Sequence, residues 1–191
     1  KRKDLTNTLT FTIDPDDAKD FDDALSFKKL KNNNVEIGIH IADVTHYLEK
    51  NTLLDKEAKK RATSVYLSDR VVPMLPEILS NDLCSLNPNE DKNVFSVLVE
   101  IDNNYNIISK EFSKCLINSN ERMSYQEAQH VIENKKKKLP ADVTITKKKR
   151  SLSKELVEAI LHLNSVALKL KEKRKKEGSV FFNKDEVRFV V

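Results

Sequence analysis

The 191-residue chain reads as an α+β fold, a mixed or antiparallel sheet packed by helices. Three observations lead there. Apolar residues alternate with a period of two in several separate runs between Leu9 and Ile117. Two consecutive alternating runs are joined by the short polar turn Asp102-Asn103-Asn104, the arrangement of a hairpin. The one long stripe with helical spacing comes late, after Ser153, so strands and helices do not alternate as they would in a βαβ wind. The chain contains no internal repeat.

Leu9 to Ile13 forms the first strand-like run, and the alternation Ala24-Leu25-Ser26-Phe27 follows an acidic interruption. Asn32-Asn33-Asn34 turns the chain into Val35–Ile41, a half-buried strand with Asp43, Thr45 and His46 just past its end. Asp55 to Arg61 is a short charged helix, and the sequence turns apolar again from Ala62 to Leu67. Pro73 and Pro76 make the stretch from Val71 to Pro76 irregular. Val94–Ile101 is a core strand, with Ile107–Ile117 as its antiparallel partner. Ser124 to Glu133 is helical, and residues 134–150 form a mobile, lysine-rich loop. Ser153 offers an N-cap to a long helix on which Leu156, Ile160, Leu163, Ala167 and Leu170 step by four and three, an apolar stripe that faces a core.

A chain of this length has room for one domain with a substantial core. Its 39% hydrophobic and 34% charged residues describe a polar globular protein, and no run approaches the ~18 apolar residues of a membrane span. No membrane partner is expected. The start at Lys1-Arg2-Lys3, without Met or a signal-type apolar segment, is that of a piece of a longer protein. Cys84 and Cys115 make no metal-binding pair and are expected as reduced, partly buried thiols of a cytoplasmic protein. The net charge of +4 is uneven. Residues 134–177 hold fifteen Lys and Arg against five Asp and Glu, which leaves −6 for the rest. An acidic end beside a basic one suits an enzyme that holds cations and attracts phosphate.

Six aspartates fall within ten residues, at Asp14, Asp16, Asp17, Asp20, Asp22 and Asp23. Ionised carboxylates this close repel one another unless water or cations compensate. Acidic runs are most often solvated loops, but this one lies between two strands, where a rigid scaffold can position it. An EF-hand loop starting at Asp14 would need Gly and Glu at its sixth and twelfth places, which are Lys19 and Leu25 here. Hard oxygen ligands at short, irregular spacing suit Mg²⁺ or Mn²⁺, with positions left for water and a substrate phosphate. The pattern points to metal-assisted cleavage of phosphodiesters.

The segment from Thr12 to Leu25 resembles the first catalytic motif of the ribonuclease II/ribonuclease R family, whose catalytic domain is called RNB. The likeness continues in order through His40-Ile41-Ala42-Asp43-Val44, Arg61 to Tyr66, Val72 to Pro76 and Leu79 to Pro88. It covers nearly the whole chain, and its wording is closer to bacterial ribonuclease R. This resemblance implies a Mg²⁺-dependent, processive 3′-to-5′ exoribonuclease that releases nucleoside 5′-monophosphates from single-stranded RNA. Asp14 and Asp23 match the direct metal ligands, with Asp20 supporting the site. Asp22, with Asp20, matches the catalytic positions, and cleavage more than RNA binding depends on Asp22. Asp16 and Asp17 match positions where the family accepts other residues. Tyr66 resembles a tyrosine that contacts the terminal nucleotides, Tyr125 one that affects final product length, and Phe182 a phenylalanine that clamps the last bases. Residues 1–191 correspond to the N-terminal portion of the RNB catalytic domain. A later segment with an active-site arginine, the upstream cold-shock domains and the downstream S1 domain are not in the sequence. The rival expectation is a non-catalytic RNA-binding fragment, and the chain by itself is expected to be inactive.

Overall fold

The computed structural model describes residues 1–67 and 69–181. Its strands are β1 (Lys3–Asp4), β2 (Thr10–Asp14), β3 (Asp23–Lys29), β4 (Val35–Ala42), β5 (Val65–Tyr66), β6 (Val71–Val72), β7 (Asp91–Ile101), β8 (Ile107–Asn118), β9 (Glu121–Ser124), β10 (Lys138–Leu139) and β11 (Arg150–Ser151). Its α-helices are α1 (Leu53–Arg61), α2 (Tyr125–Asn134) and α3 (Lys154–Lys176). Seven strands make one mixed sheet in the order β1-β8-β7-β4-β3-β2-β9. The two outer pairings, β1 with β8 and β2 with β9, are parallel, and the inner ones are antiparallel. The α+β reading therefore holds, including the expected hairpin of β7 and β8.

Period-two alternation gives the sheet two apolar faces, each with its own core. On one face Phe11, Phe27, Val35, Ile37, Ile101 and Met123 pack against Val131 of α2 and Leu156, Val157, Ala159 and Ile160 of α3. Fully burying a side chain such as Phe11 contributes roughly 1.5–3 kcal/mol. On the other face Ala24, Ala42, Val94, Leu98, Cys115 and Ile117 meet Leu5, Phe21, Leu79, Cys84 and Leu86 from the connecting segments. Both cysteines are buried and free. Helix α3 starts where Ser153 accepts from the Leu156 N–H. Helix α2 starts at a capping box, in which Ser124 and Glu127 each accept the other's backbone N–H.

The central strands also bury a polar link. His40 is fully buried on β4, its Nδ1 2.7 Å from Ser96 Oγ on β7 and its Nε2 2.9 Å from Ser26 Oγ on β3. Gly38 leaves room for it: a Cβ there would lie 2.2 Å from Ser26 Oγ and 2.5 Å from His40 Nε2.

Several expectations change in detail. The short helix begins at Leu53, because Thr52 caps it by accepting the Asp55 N–H. The apolar stretch from Ala62 to Leu67 yields only the two-residue strand β5, hairpinned to β6. Within 134–150, β10 pairs with β11, Leu139 is buried, and the buried Thr144 hydroxyl lies within hydrogen-bond distance of the Ala141 and Lys148 carbonyls. That segment is tied down at several points. Among the described residues no helix is long and apolar enough to cross a membrane.

Candidate active site

Strand β2 carries Asp14 to its end as a residue only 8% exposed, with the carboxylate Oδ2 buried and without a hydrogen-bond partner. The chain leaves the strand at Pro15, closes a turn in which the Ala18 N–H donates to the Pro15 carbonyl, and runs to Asp23, the first residue of β3. The loop between is braced from three directions. Ser85 Oγ accepts the Phe21 N–H at 3.0 Å and donates to the Lys19 carbonyl at 3.1 Å. The Leu86 N–H donates to the Phe21 carbonyl, and the Ala42 N–H to the Asp22 carbonyl, each at 2.9 Å. Arg122 of β9 places Nη2 at 3.4, 2.9 and 3.1 Å from the carbonyls of Pro15, Asp16 and Ala18.

Asp14, Asp20 and Asp22 then line one cleft of about 730 Å³. Its other wall comes from Ser64, Tyr66, Arg70 and Pro73 around the β5–β6 hairpin, and from Glu77, Ser80 and Asn81. The last two belong to a turn of π-helix spanning Ile78–Leu83, a wide coil that recurs at functional sites. Burial raises the Asp14 carboxyl above its ordinary value, and the nearby charge of Asp23 adds to the effect. Asp22 is solvent-accessible, yet partial desolvation and then the charges of Asp20 and Asp23 raise its carboxyl as well. Asp20 and Asp23 thus act electrostatically on both Asp14 and Asp22.

No set of three or more His, Cys, Asp or Glu side chains converges to hold an ion among the described residues. Mg²⁺ does not require such a cage, since it usually takes one or two carboxylates and completes its shell with water and substrate phosphate. A buried carboxylate oxygen with no partner, at the wall of an open acidic cleft, fits that kind of ligand set.

The aromatic residues separate. Tyr66 is 70% exposed on the β5–β6 hairpin and faces the cleft, where the Asp20 charge, burial and the Asp22 charge raise its hydroxyl pKa. Tyr125 follows Ser124, the register partner of Asp14, but opens on another hollow with Gln129, His130 and Val143. Phe182 lies outside the described residues. Asp17 also lines the cleft, while Asp16 contributes its carbonyl to Arg122. Asp43 sits apart, bonded to Arg2 at 2.6 Å and Lys114 at 3.2 Å.

Sequence reading missed Ser85, Arg122, Lys19 and Arg70. The last two bring positive charge to the cleft wall, and nothing in their spacing marks them.

An RNB domain model matches residues 2–191. DIS3-like exonuclease 2 of Schizosaccharomyces pombe is 43% identical over 194 residues, spanning 99% of this chain and 20% of its own length. Ribonuclease R 1 of Lactococcus lactis is 41% identical over 190 residues, spanning 100% of this chain and 22% of its own. The chain thus spans about a fifth of the length of these relatives. The solved structure of Mycoplasma genitalium RNase R in complex with ribose methylated single-stranded RNA has a TM-score of 0.84 at 32% identity, covering 100% of this chain and 28% of that one.

Proposed function

Because the chain belongs to the family defined by the RNB domain, we propose that it supplies the acidic centre of a divalent-metal-dependent exoribonuclease. The enzyme shortens single-stranded RNA from its 3′ end and releases nucleoside 5′-monophosphates processively. The observation that carries this is the buried, unpartnered Oδ2 of Asp14 at a cleft shared with Asp20, Asp22 and Tyr66. Asp14 and Asp23 would hold Mg²⁺ or Mn²⁺, with Asp20 in support. Such a cation would supply Lewis acidity and charge neutralisation at the scissile phosphate.

The chain's own residues do the rest. Asp22 orients the attacking water and accepts a hydrogen bond from it, a role that suits a carboxylate open to solvent. Lys19 and Arg70 bring the phosphates to a wall that would otherwise repel them. Tyr66 offers its exposed ring to the terminal base, and such stacking is worth ~1–3 kcal/mol without preference for sequence. Tyr125, one residue beyond the partner of Asp14, meets the strand further from the cut, and Phe182 joins in clamping the last bases.

The test uses the full-length protein that contains this chain, 5′-labelled single-stranded RNA and Mg²⁺. Asp22→Asn should lower turnover by ~10²-fold or more. RNA affinity should hold within about threefold, because removing a negative charge does not weaken attraction to phosphate. If affinity falls as far as turnover, Asp22 holds structure and the assignment is wrong. If wild-type protein binds RNA without shortening it, the chain belongs to an RNA-binding module instead.

A further inference from the structure

We infer that Arg122 is the positioning residue that sets the spacing of the acidic centre, an inference that rests on the exoribonuclease reading above. Its Nη2 lies within 3.4 Å of three carbonyls, those of Pro15, Asp16 and Ala18, all between Asp14 and Asp20. The same guanidinium carbon stands 4.8 Å from the ring centroid of Phe21, a buried residue between Asp20 and Asp22. One cation therefore gathers the first half of the loop by hydrogen bonds and the second half by its contact with the Phe21 ring.

The position of Arg122 is itself fixed. Thr12 is its register partner on β2, two residues before Asp14, so the arginine starts from the strand that carries the buried ligand. Arg150 Nη2 bonds Glu121 Oε2 at 3.1 Å and reaches the Arg122 carbonyl at 3.4 Å, which steadies β9 from the end of the lysine-rich segment. The loop gains little rigidity from its own composition: among residues 15–20 only Pro15 is stiff, and three of the six are charged aspartates. Without the clamp, mutual repulsion of the carboxylates would spread them. The Arg122 side chain bonds the carbonyls of the loop. It acts through the loop.

A lysine cannot replace it. An ammonium keeps the charge and three N–H donors, but as a point charge it cannot hold the carbonyls and the Phe21 ring with separate atoms of one rigid group. In the full-length protein, Arg122→Lys should lower Mn²⁺ affinity by ~10- to 100-fold and kcat by a similar factor. KM for single-stranded RNA should stay within about threefold, since phosphate attraction is untouched. Raising Mn²⁺ should restore part of the lost kcat, and a melting temperature close to wild type without metal separates this from simple destabilisation, which Mn²⁺ binding could also offset. Phe21→Leu, which removes the ring and keeps an apolar side chain, should show a weaker loss of the same kind.

Mn²⁺ affinity is read by electron paramagnetic resonance and melting temperature by calorimetry. Wild-type Mn²⁺ affinity in Arg122→Lys overturns the inference, and so does a loss of kcat that follows a fall in melting temperature while Mn²⁺ affinity holds. If the wild-type protein hydrolyses no RNA, the functional reading fails, and the Mn²⁺ measurement still decides the role of Arg122. A wild-type protein that binds no Mn²⁺ overturns both.

Discussion

Burial marks two carboxylates of the acidic segment, Asp14 and Asp22. Asp14 and Asp22 have raised pKa values, so the fold favours their protonated forms, and that favour is lost as pH rises through their folded values. At neutral pH their charges strain the metal-free protein. Asp14→Asn should therefore raise the melting temperature without metal and, on the proposed ligand role, remove most of the rise expected when Mg²⁺ is added to the wild type; an unchanged Mg²⁺ response would exclude Asp14 as a ligand. His40 behaves in the opposite sense. Burial holds its imidazole down to about 4, so its stability contribution is present above 6.5 and lost as pH falls through about 4. The difference from 6.5 corresponds to about 3 kcal/mol. Urea titrations at pH 7 and pH 4 should show a loss of that order, smaller in His40→Asn. Asp43 gives no such loss in that range. Burial would raise it, but bonds from Thr45, Arg2 and Lys114 outweigh the effect and hold it at about 2. The aspartates could be read directly from the sequence because six of them crowd ten positions. Arg122 and Ser85 could not, since each acts on backbone carbonyls or amides more than 60 residues away, and such contacts leave no local pattern.

At the scale of elements, period and capping carried the reading well. Ser124 and Ser153 both cap the helices they were expected to begin, and the Asp102 turn does join two long antiparallel strands. Short strands escaped notice. β1 and β9 have two and four residues, too few to establish an alternation, and both join the sheet through parallel pairing with distant partners. The basic segment also exceeded its compositional reading, because one of its charges is structural. Arg150 Nε lies 3.5 Å from Oε1 of Glu127, whose side chain is 1% exposed, while its Nη2 reaches Glu121. Arg150→Ala would leave that buried carboxylate without its cation, although the Ser124 N–H still donates to it. A loss of about 3 kcal/mol is expected, toward the lower end for a broken buried pair. Thermal melting beside Lys148→Ala, which should change little, would show whether the effect belongs to this arginine or to basic charge in general.

At the scale of the whole molecule, the helices cover only part of one sheet face. The stripe of α3 expected to face a core does so through Leu156 and Ile160, so this helix is not the main uncovered apolar surface. That surface lies on the strands. Ile39, Ile41, Phe95 and Phe112 are each at least 41% exposed, and the register sets Ile41 against Phe95, and Ile39 and Phe112 on either side of Val97. Beyond Ile41 the next partner on this face is Asp23, so the apolar strip runs up to the acidic centre. Contiguous apolar surface of this kind drives association. The chain of 191 residues should self-associate at micromolar concentration and bind a hydrophobic dye, and Phe95→Ser with Phe112→Lys should reduce both in sedimentation and fluorescence. A monomer that binds no dye would show that the strip is too small to matter.

The clamp on the acidic loop also has a direction in time. Ala18 and the arginine that holds its carbonyl are 104 residues apart. At roughly 5–20 residues per second, a ribosome takes on the order of 5–20 s to pass from one to the other. Throughout that interval the emerging chain carries its aspartates without the group that spaces them. The charges of this site are written early in the polypeptide and their arrangement is assembled late, so a nascent chain holds its acidic cluster well before it holds the cleft.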